Sequence, residues 1–298
     1  MQRRDFIKNS ALCAVAVSAS GFIRFDGSRY VGDCETTTDI LGPYYRPGSP
    51  VRNNLIVKGD PGELVNLSGV IKHKDCVTPY KNAKIELWHC DAKGAYDNES
   101  DKFNYRATSY CNDKGQYSFD TILPVPYAAG VGYTRPAHFH LMITAAGYQP
   151  LVTQLYFTGD KNIPNDPFAA SPLAKRRTLD VQTGIDGTKK LVFDVSMSET
   201  LAADPASINK LTGIYIDKKD KTKKLEFFKK DNVLWMKNEV YGESFTYTGK
   251  NTFVYAGLPS GMSENLHFEL MAFNAVQLTY EVVEKNAVKH SSIYVKEK

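Results

Sequence analysis

Cysteine is scarce: five of 298 residues, none paired at the close spacing of a zinc motif, which argues against a thiolate-built metal site. Long apolar runs are absent too. The run over residues 11–20 is too short to cross a bilayer comfortably, which excludes a stable membrane span there. Charge of one sign does not dominate either. With 37 basic and 33 acidic residues the net charge is +4, and nothing points to a nucleic-acid partner. No internal repeat is visible, and no long amphipathic helix.

What the chain has instead is aromatic and strand-like. Eighteen tyrosines and fifteen phenylalanines accompany short Thr- and Val-bearing runs. Strand patterns fall over 64–73, 83–89, 109–110, 116–119, 138–144 and 151–157, separated by turns such as Asn112-Asp113-Lys114-Gly115. Short strands at regular intervals predict an all-β fold, a β-sandwich spanning 26–200. Residues 175–195 are expected to return as one or two final strands, and 202–205 reads as a linker. After it, alternating runs from 213 to 295 predict a second, smaller all-β unit over 206–298, an accessory domain of no assigned role.

The amino terminus, residues 1–25, reads as an export signal. Arg3-Arg4-Asp5-Phe6-Ile7-Lys8 ahead of a short apolar run resembles a twin-arginine signal, predicting export to a periplasm. Removing it leaves Cys34, Cys76, Cys90 and Cys111, for which one or two disulfides in any pairing are open. Residues 33–61, rich in Pro, Gly, Asn and Thr, predict an extended arm over the domain.

The centre of the chain is Arg135-Pro136-Ala137-His138-Phe139-His140. Residues two apart in a strand share a face, so His138 and His140 present two imidazoles side by side, a pincer for a metal. Three further blocks accompany it: Trp88-His89-Cys90-Asp91-Ala92-x-Gly94-x-Tyr96, Pro124-x-Pro126-Tyr127, and Thr153-Gln154-Leu155-Tyr156-Phe157-x-Gly159-Asp160. In this order and spacing, over 36–160, the chain resembles the intradiol ring-cleavage dioxygenases of the protocatechuate 3,4-dioxygenase and catechol 1,2-dioxygenase type.

That resemblance implies a β-sandwich enzyme with non-haem Fe(III) held by Tyr96, Tyr127, His138 and His140. It implies a catechol-type substrate cleaved with O2 between its hydroxyl-bearing carbons to a muconate-type diacid. By the same resemblance Arg135 stabilises negative charge on the substrate, Gln154 orients Arg135, and Tyr44 and Tyr45 of Gly42-Pro43-Tyr44-Tyr45 line the pocket. The donor types suit that metal. Phenolate is a hard anion that favours a highly charged cation, and a tyrosine with an ordinary pKa of about 10 ionises there only because the cation favours it. Zinc or copper would fit two tyrosines poorly. Thr134, where many relatives have tryptophan, and the short glycine-rich stretch 128–133 depart from the family pattern and bear on substrate identity. His89 reads as a structural strand residue. The rival reading is a non-catalytic β-sandwich binding module of transthyretin-like shape; a homo-oligomer is compatible with either.

Overall fold

The structure, a computed structural model, describes residues 23–25, 30–32, 34–185, 187–198, 203–259, 261–272, 275–284 and 288–297. Most of the segment read as an export signal lies outside them. Its last three residues form β1 (Ile23–Phe25), paired antiparallel with β2 (Tyr30–Gly32). Among the described residues no helix is long and apolar enough to cross a membrane.

The fold is all-β. The first body comprises β3 (Leu64–Lys72), β4 (Lys84–Trp88), β5 (Arg106–Tyr110), β6 (Gln116–Ile122), β7 (Tyr127–Gly130) and β8 (Tyr133–Arg135). It continues through β9 (His138–Thr144), β10 (Leu151–Phe157), β11 (Thr178–Leu179), β12 (Gln182–Thr183), β13 (Lys189–Val192) and β14 (Val195–Ser196). One sheet runs β11-β10-β9-β4-β5. The other has β3 at its centre, with β6 on one side and β13 and then β14 on the other. The return over 175–195 is thus four short strands after a 3-10 turn at Pro172–Arg177, more broken than the sequence suggested.

Alternation along β9 explains the packing. Phe139, Leu141 and Ile143 enter the inter-sheet core with Leu67, Phe119 and Leu155, where each buried side chain contributes about 1.5–3 kcal/mol. His138, His140 and Met142 therefore face the other way. That outer face is also buried, beneath the arm and a second body, in a cluster of Leu41, Tyr45, Trp88, Met142, Val152, Val233 and Trp235.

The second body is a closed barrel: β15 (Gly213–Asp217), β16 (Lys224–Lys230), β17 (Val233–Met236), β18 (Glu243–Gly249), β19 (Thr252–Tyr255), β20 (Ser263–Leu270), β21 (Val276–Val283) and β22 (Lys289–Lys296). Closure through the β15–β22 pair leaves no free sheet edge. Its interior is filled by side chains, among them Tyr215, Phe227, Phe253 and Phe268, whose rings meet edge-on. The stretch read as a linker opens a helix instead, α1 (Pro205–Leu211). Asp204 accepts a hydrogen bond from the Ser207 amide at 2.9 Å, and Ile208 and Leu211 pack into the barrel core.

One disulfide forms, Cys34–Cys76, tying the start of the arm to the β3–β4 loop. Closing a loop of 42 residues this way stabilises the fold by about 2–4 kcal/mol. Cys90 and Cys111 are free and buried.

Candidate metal centre

Three donor atoms converge at the end of β9. Tyr96 Oη lies 3.4 Å from His138 Nε2 and 3.2 Å from His140 Nε2, and the two Nε2 atoms are 3.1 Å apart. Three ligands bound to one ion at about 2.1 Å, with angles between about 90° and 110°, stand about 3.0–3.4 Å from one another, so the spacing suits a shared ion. Both imidazoles are 1 % exposed. His138 Nδ1 donates to the Pro136 carbonyl at 2.7 Å, which fixes the tautomer and leaves the Nε2 lone pair aimed at the cluster. Burial, and next the positive charge of Arg135, pull His138 down to about 3; burial holds His140 well below its usual value, so both rings are neutral ligands near pH 7.

The phenols complete the set. Tyr96 follows a turn in which the Asp91 carboxylate accepts from the Lys93 and Ala95 amides, both at 2.8 Å. Gly94 in that turn has φ of +85°, and a Cβ there would fall 2.9 Å from Tyr127 Cβ, so only glycine lets the two tyrosine-bearing segments approach. Tyr127 opens a small hairpin, β7–β8, and pairs across it with Arg135. Its ring lies 5.5 Å from that of Tyr96 and 5.6 Å from that of His138. Burial raises both phenols above the usual tyrosine range; for Tyr127 the Arg135 charge opposes the rise.

Of these donors only the His138 Nε2 has a fixed role, as an acceptor, and His140 Nδ1 is buried with no hydrogen-bond partner of its own. A cation placed among them would meet a hard phenolate oxygen and two neutral imidazoles, so the donor set fits a metal. Among the described residues no three of His, Cys, Asp and Glu come together at metal-binding spacing. A metal here must draw on the tyrosines.

Arg135 is buried and held from three sides. Its Nε donates to Asp166 Oδ2 at 2.9 Å, and its Nη2 donates to Gln154 Oε1 at 3.1 Å and to Tyr156 Oη at 3.2 Å. Burial works against its charge, yet Tyr156 and Asp166 outweigh it and keep the guanidinium protonated. Gln154 Nε2 donates to the Ile40 carbonyl at 2.8 Å, so it bridges the arm and Arg135. Tyr156 Oη donates to Asp39 Oδ2 at 3.0 Å, and Arg177 Nη1 donates to the same oxygen at 2.5 Å.

The two arm tyrosines part company. Tyr44 stacks on Tyr96 with centroids 4.3 Å apart and meets Tyr127 edge-on at 6.1 Å. Tyr45 is not brought to the donor cluster. Tyr44 lies in a turn with Pro43, and Tyr45, just past that turn, enters the barrel junction, where its hydroxyl donates to Glu86 Oε1 at 3.1 Å. Gly42, at φ of +77°, lets the arm backbone pass close to His140: a Cβ there would stand 3.0 Å from its Cε1. Trp88 stacks on the His140 ring at 4.9 Å. His89 is structural, its Nε2 bonded to Thr121 Oγ1 and its Nδ1 to the Cys90 carbonyl, both at 2.7 Å.

Sequence reasoning passed over Tyr156, Asp39, Asp166, Arg177 and Trp88. Tyr156 had a signal, since it stands two residues from Gln154 on the same strand face; Asp166 sits in a turn-like Asn165-Asp166-Pro167 that carries none. A cavity of 390 Å³ opens elsewhere, at the mouth of the barrel among Tyr148, Leu234, Phe245 and Phe253. It holds none of the converging donors.

A protein-family model described as "Dioxygenase" (Dioxygenase_C) matches residues 40–203, more than half the chain. Chlorocatechol 1,2-dioxygenase of Rhodococcus opacus is 33% identical over 158 residues, covering 45% of this chain and 61% of that protein. Catechol 1,2-dioxygenase of Candida albicans is 33% identical over 144 residues, covering 41% of this chain and 46% of that protein. The chain therefore spans less than two thirds of either relative. Catechol 1,2-dioxygenase from Pseudomonas arvilla C-1 has a solved structure that superposes with a TM-score of 0.51 at 23% identity, covering 67% of this chain and 70% of that one. At that identity the likeness speaks for the fold alone. With the family model, the four sequence blocks and the sandwich in agreement, the chain belongs to the intradiol ring-cleavage dioxygenase family.

Proposed function

We propose that this protein is an iron(III)-dependent intradiol dioxygenase that cleaves a catechol-type ring between its two hydroxyl-bearing carbons with O2, giving a muconate-type diacid. The observation that carries the reading is the convergence of Tyr96, His138 and His140 within 3.4 Å, with Tyr127 beside them. These four residues would hold the metal. Two anionic phenolates and two neutral imidazoles favour ferric over ferrous iron. Fe(III) held there would withdraw electron density from a catechol-type diol and ready its ring for reaction with dioxygen.

The remaining work falls to the chain itself. The Pro136 carbonyl keeps the His138 proton on Nδ1, so Nε2 is always free to bind. Tyr96 and Tyr127 give up their hydroxyl protons when the cation arrives, and one of those phenolates can take a proton back when substrate enters. Arg135, fixed by Asp166 and Gln154, offers a guanidinium that stays charged to oxygens that become negative as the ring opens. Tyr44, stacked on Tyr96, forms the arm's side of the pocket.

We also assign the protein to an oxidising, exported location. The Arg3-Arg4 run ahead of an apolar stretch and the Cys34–Cys76 disulfide support this.

The test is stoichiometry. Iron-loaded protein given catechol should consume one O2 per catechol and yield an acyclic diacid carrying both oxygen atoms from labelled O2. Catechol bound with no oxygen uptake after iron loading would overturn the assignment in favour of a binding module.

A further inference from the structure

The barrel lies against the outer face of the sheet that carries the histidines, and its contacts with the arm are specific. Lys230, at the end of β16, donates from Nζ to Tyr45 Oη at 2.9 Å. The same ammonium stands over three rings, 5.1 Å from the centroids of Tyr45 and Tyr241 and 5.5 Å from that of Trp235. Trp235 of β17 stacks on Tyr45 at 6.1 Å, while Trp88 meets the Tyr45 ring edge-on at 5.1 Å. Tyr45 is thereby clamped between a barrel indole and a sheet indole, 3 % exposed, with its hydroxyl shared by Lys230 and Glu86. A second contact backs the first. Gly257, in the turn after β19, has φ of +90°, and a Cβ there would stand 2.3 Å from the Asp39 carbonyl carbon, so the barrel backbone passes directly over the start of the arm.

The clamp leads straight to the donors. Tyr44 precedes Tyr45 and stacks on Tyr96; Gly42 lies against His140; and Trp88, which touches Tyr45, stacks on His140. Fixing Tyr45 therefore fixes the backbone direction that lays Tyr44 on Tyr96. Aromatic rings packed around a half-buried cation hold it in a selective geometry.

We propose that Lys230 and Trp235 are positioning residues for the substrate pocket: the barrel holds the 41–45 segment in place through Tyr45, and so sets the pocket wall formed by Tyr44. The inference rests on the ring-cleavage reading for its substrate, a catechol-type diol. The barrel becomes a working part of the active site rather than a passenger.

Full-length Lys230→Met, Lys230→Arg and Trp235→Ala proteins test it beside Lys223→Met, a change at a solvent-exposed ion pair in the β15–β16 turn. Two readouts are taken: steady-state cleavage of catechol, and amide hydrogen exchange of peptides spanning 39–46 in metal-free protein. Lys230→Met and Trp235→Ala should raise KM about tenfold with kcat within about twofold, because a misplaced pocket wall weakens substrate binding more than it slows the chemistry. They should also speed exchange across 39–46 while β9 and β10 keep wild-type protection. Lys230→Arg, which keeps the charge over the rings, should restore most of the loss, and Lys223→Met should behave as wild type. Wild-type exchange in the arm of both Lys230→Met and Trp235→Ala overturns the proposal; so does faster exchange with unchanged KM. A wild-type protein that takes up iron but cleaves no catechol sinks the ring-cleavage reading instead, and the exchange comparison alone then decides whether the barrel positions the arm.

Discussion

His138→Ala protein is expected to fold, to purify without iron and to cleave catechol at below about one per cent of the wild-type rate. Losing a group that merely orients a metal ligand costs roughly 10–100-fold in affinity or activity, and losing the ligand itself must cost more. Tyr96→Phe makes the same point with less disturbance. The ring that stacks on Tyr44 at 4.3 Å stays, and only the oxygen 3.2 Å and 3.4 Å from the two imidazoles goes. Iron content by elemental analysis, circular dichroism and oxygen uptake on the same preparations separate a lost ligand from a lost fold. A folded His138→Ala protein with full iron and full activity would remove the site assignment.

Arg135→Gln should behave differently. It should retain iron, because none of the four donors is touched, while kcat falls by about 10²–10³, the usual cost of removing one charge-stabilising group from a preorganised site. It should also be less stable by about 3–5 kcal/mol, since Asp166, 0 % exposed, would keep a buried carboxylate without its cation. The Tyr133 hydroxyl and the Phe168 and Ala169 amides still donate to that carboxylate and moderate the loss. Thermal unfolding reports the stability term, and turnover by iron-saturated protein well below its unfolding temperature reports the chemical one. Unchanged kcat would mean that Arg135 serves the fold alone.

The parts of this site that sequence reasoning reached share a physical reason. His138 and His140 are legible because a strand repeats every two residues, and Phe139, Leu141 and Ile143 confirm the alternation by filling the core. Tyr96 and Tyr127 are not legible that way. They reach the histidines from a turn and from a hairpin, and only the resemblance to a known family singled them out. Gln154 and Tyr156 face the histidines through the β9–β10 register, which pairs Gln154 with His140 and Tyr156 with His138. Asp39, Asp166 and Arg177 lie 100 or more residues apart or in loops, and their pairing follows from tertiary folding, which no local pattern encodes.

Two stretches carry local signals that the structure uses. Asp204-Pro205 carries an N-cap and a proline suited to a first helical turn, the start of α1 rather than a linker. Tyr44, in a turn, lies on Tyr96, while Tyr45 goes to the barrel junction. Their divergence carries the barrel's contact with Tyr45 to within one residue of Tyr44 and the donor cluster, a relation invisible in a sequence where the two units are separated by alternating surface patterns.

The most direct test of the account is the visible absorption spectrum of iron-loaded wild-type protein, recorded before and after adding catechol without oxygen. Phenolate bound to Fe(III) absorbs visible light by charge transfer, so the protein should be reddish, and catechol should move the band to longer wavelength. The same protein with Tyr96→Phe should lose most of that colour. Protein that holds stoichiometric iron yet is colourless, with a spectrum unmoved by catechol, would contradict a tyrosine-ligated ferric centre.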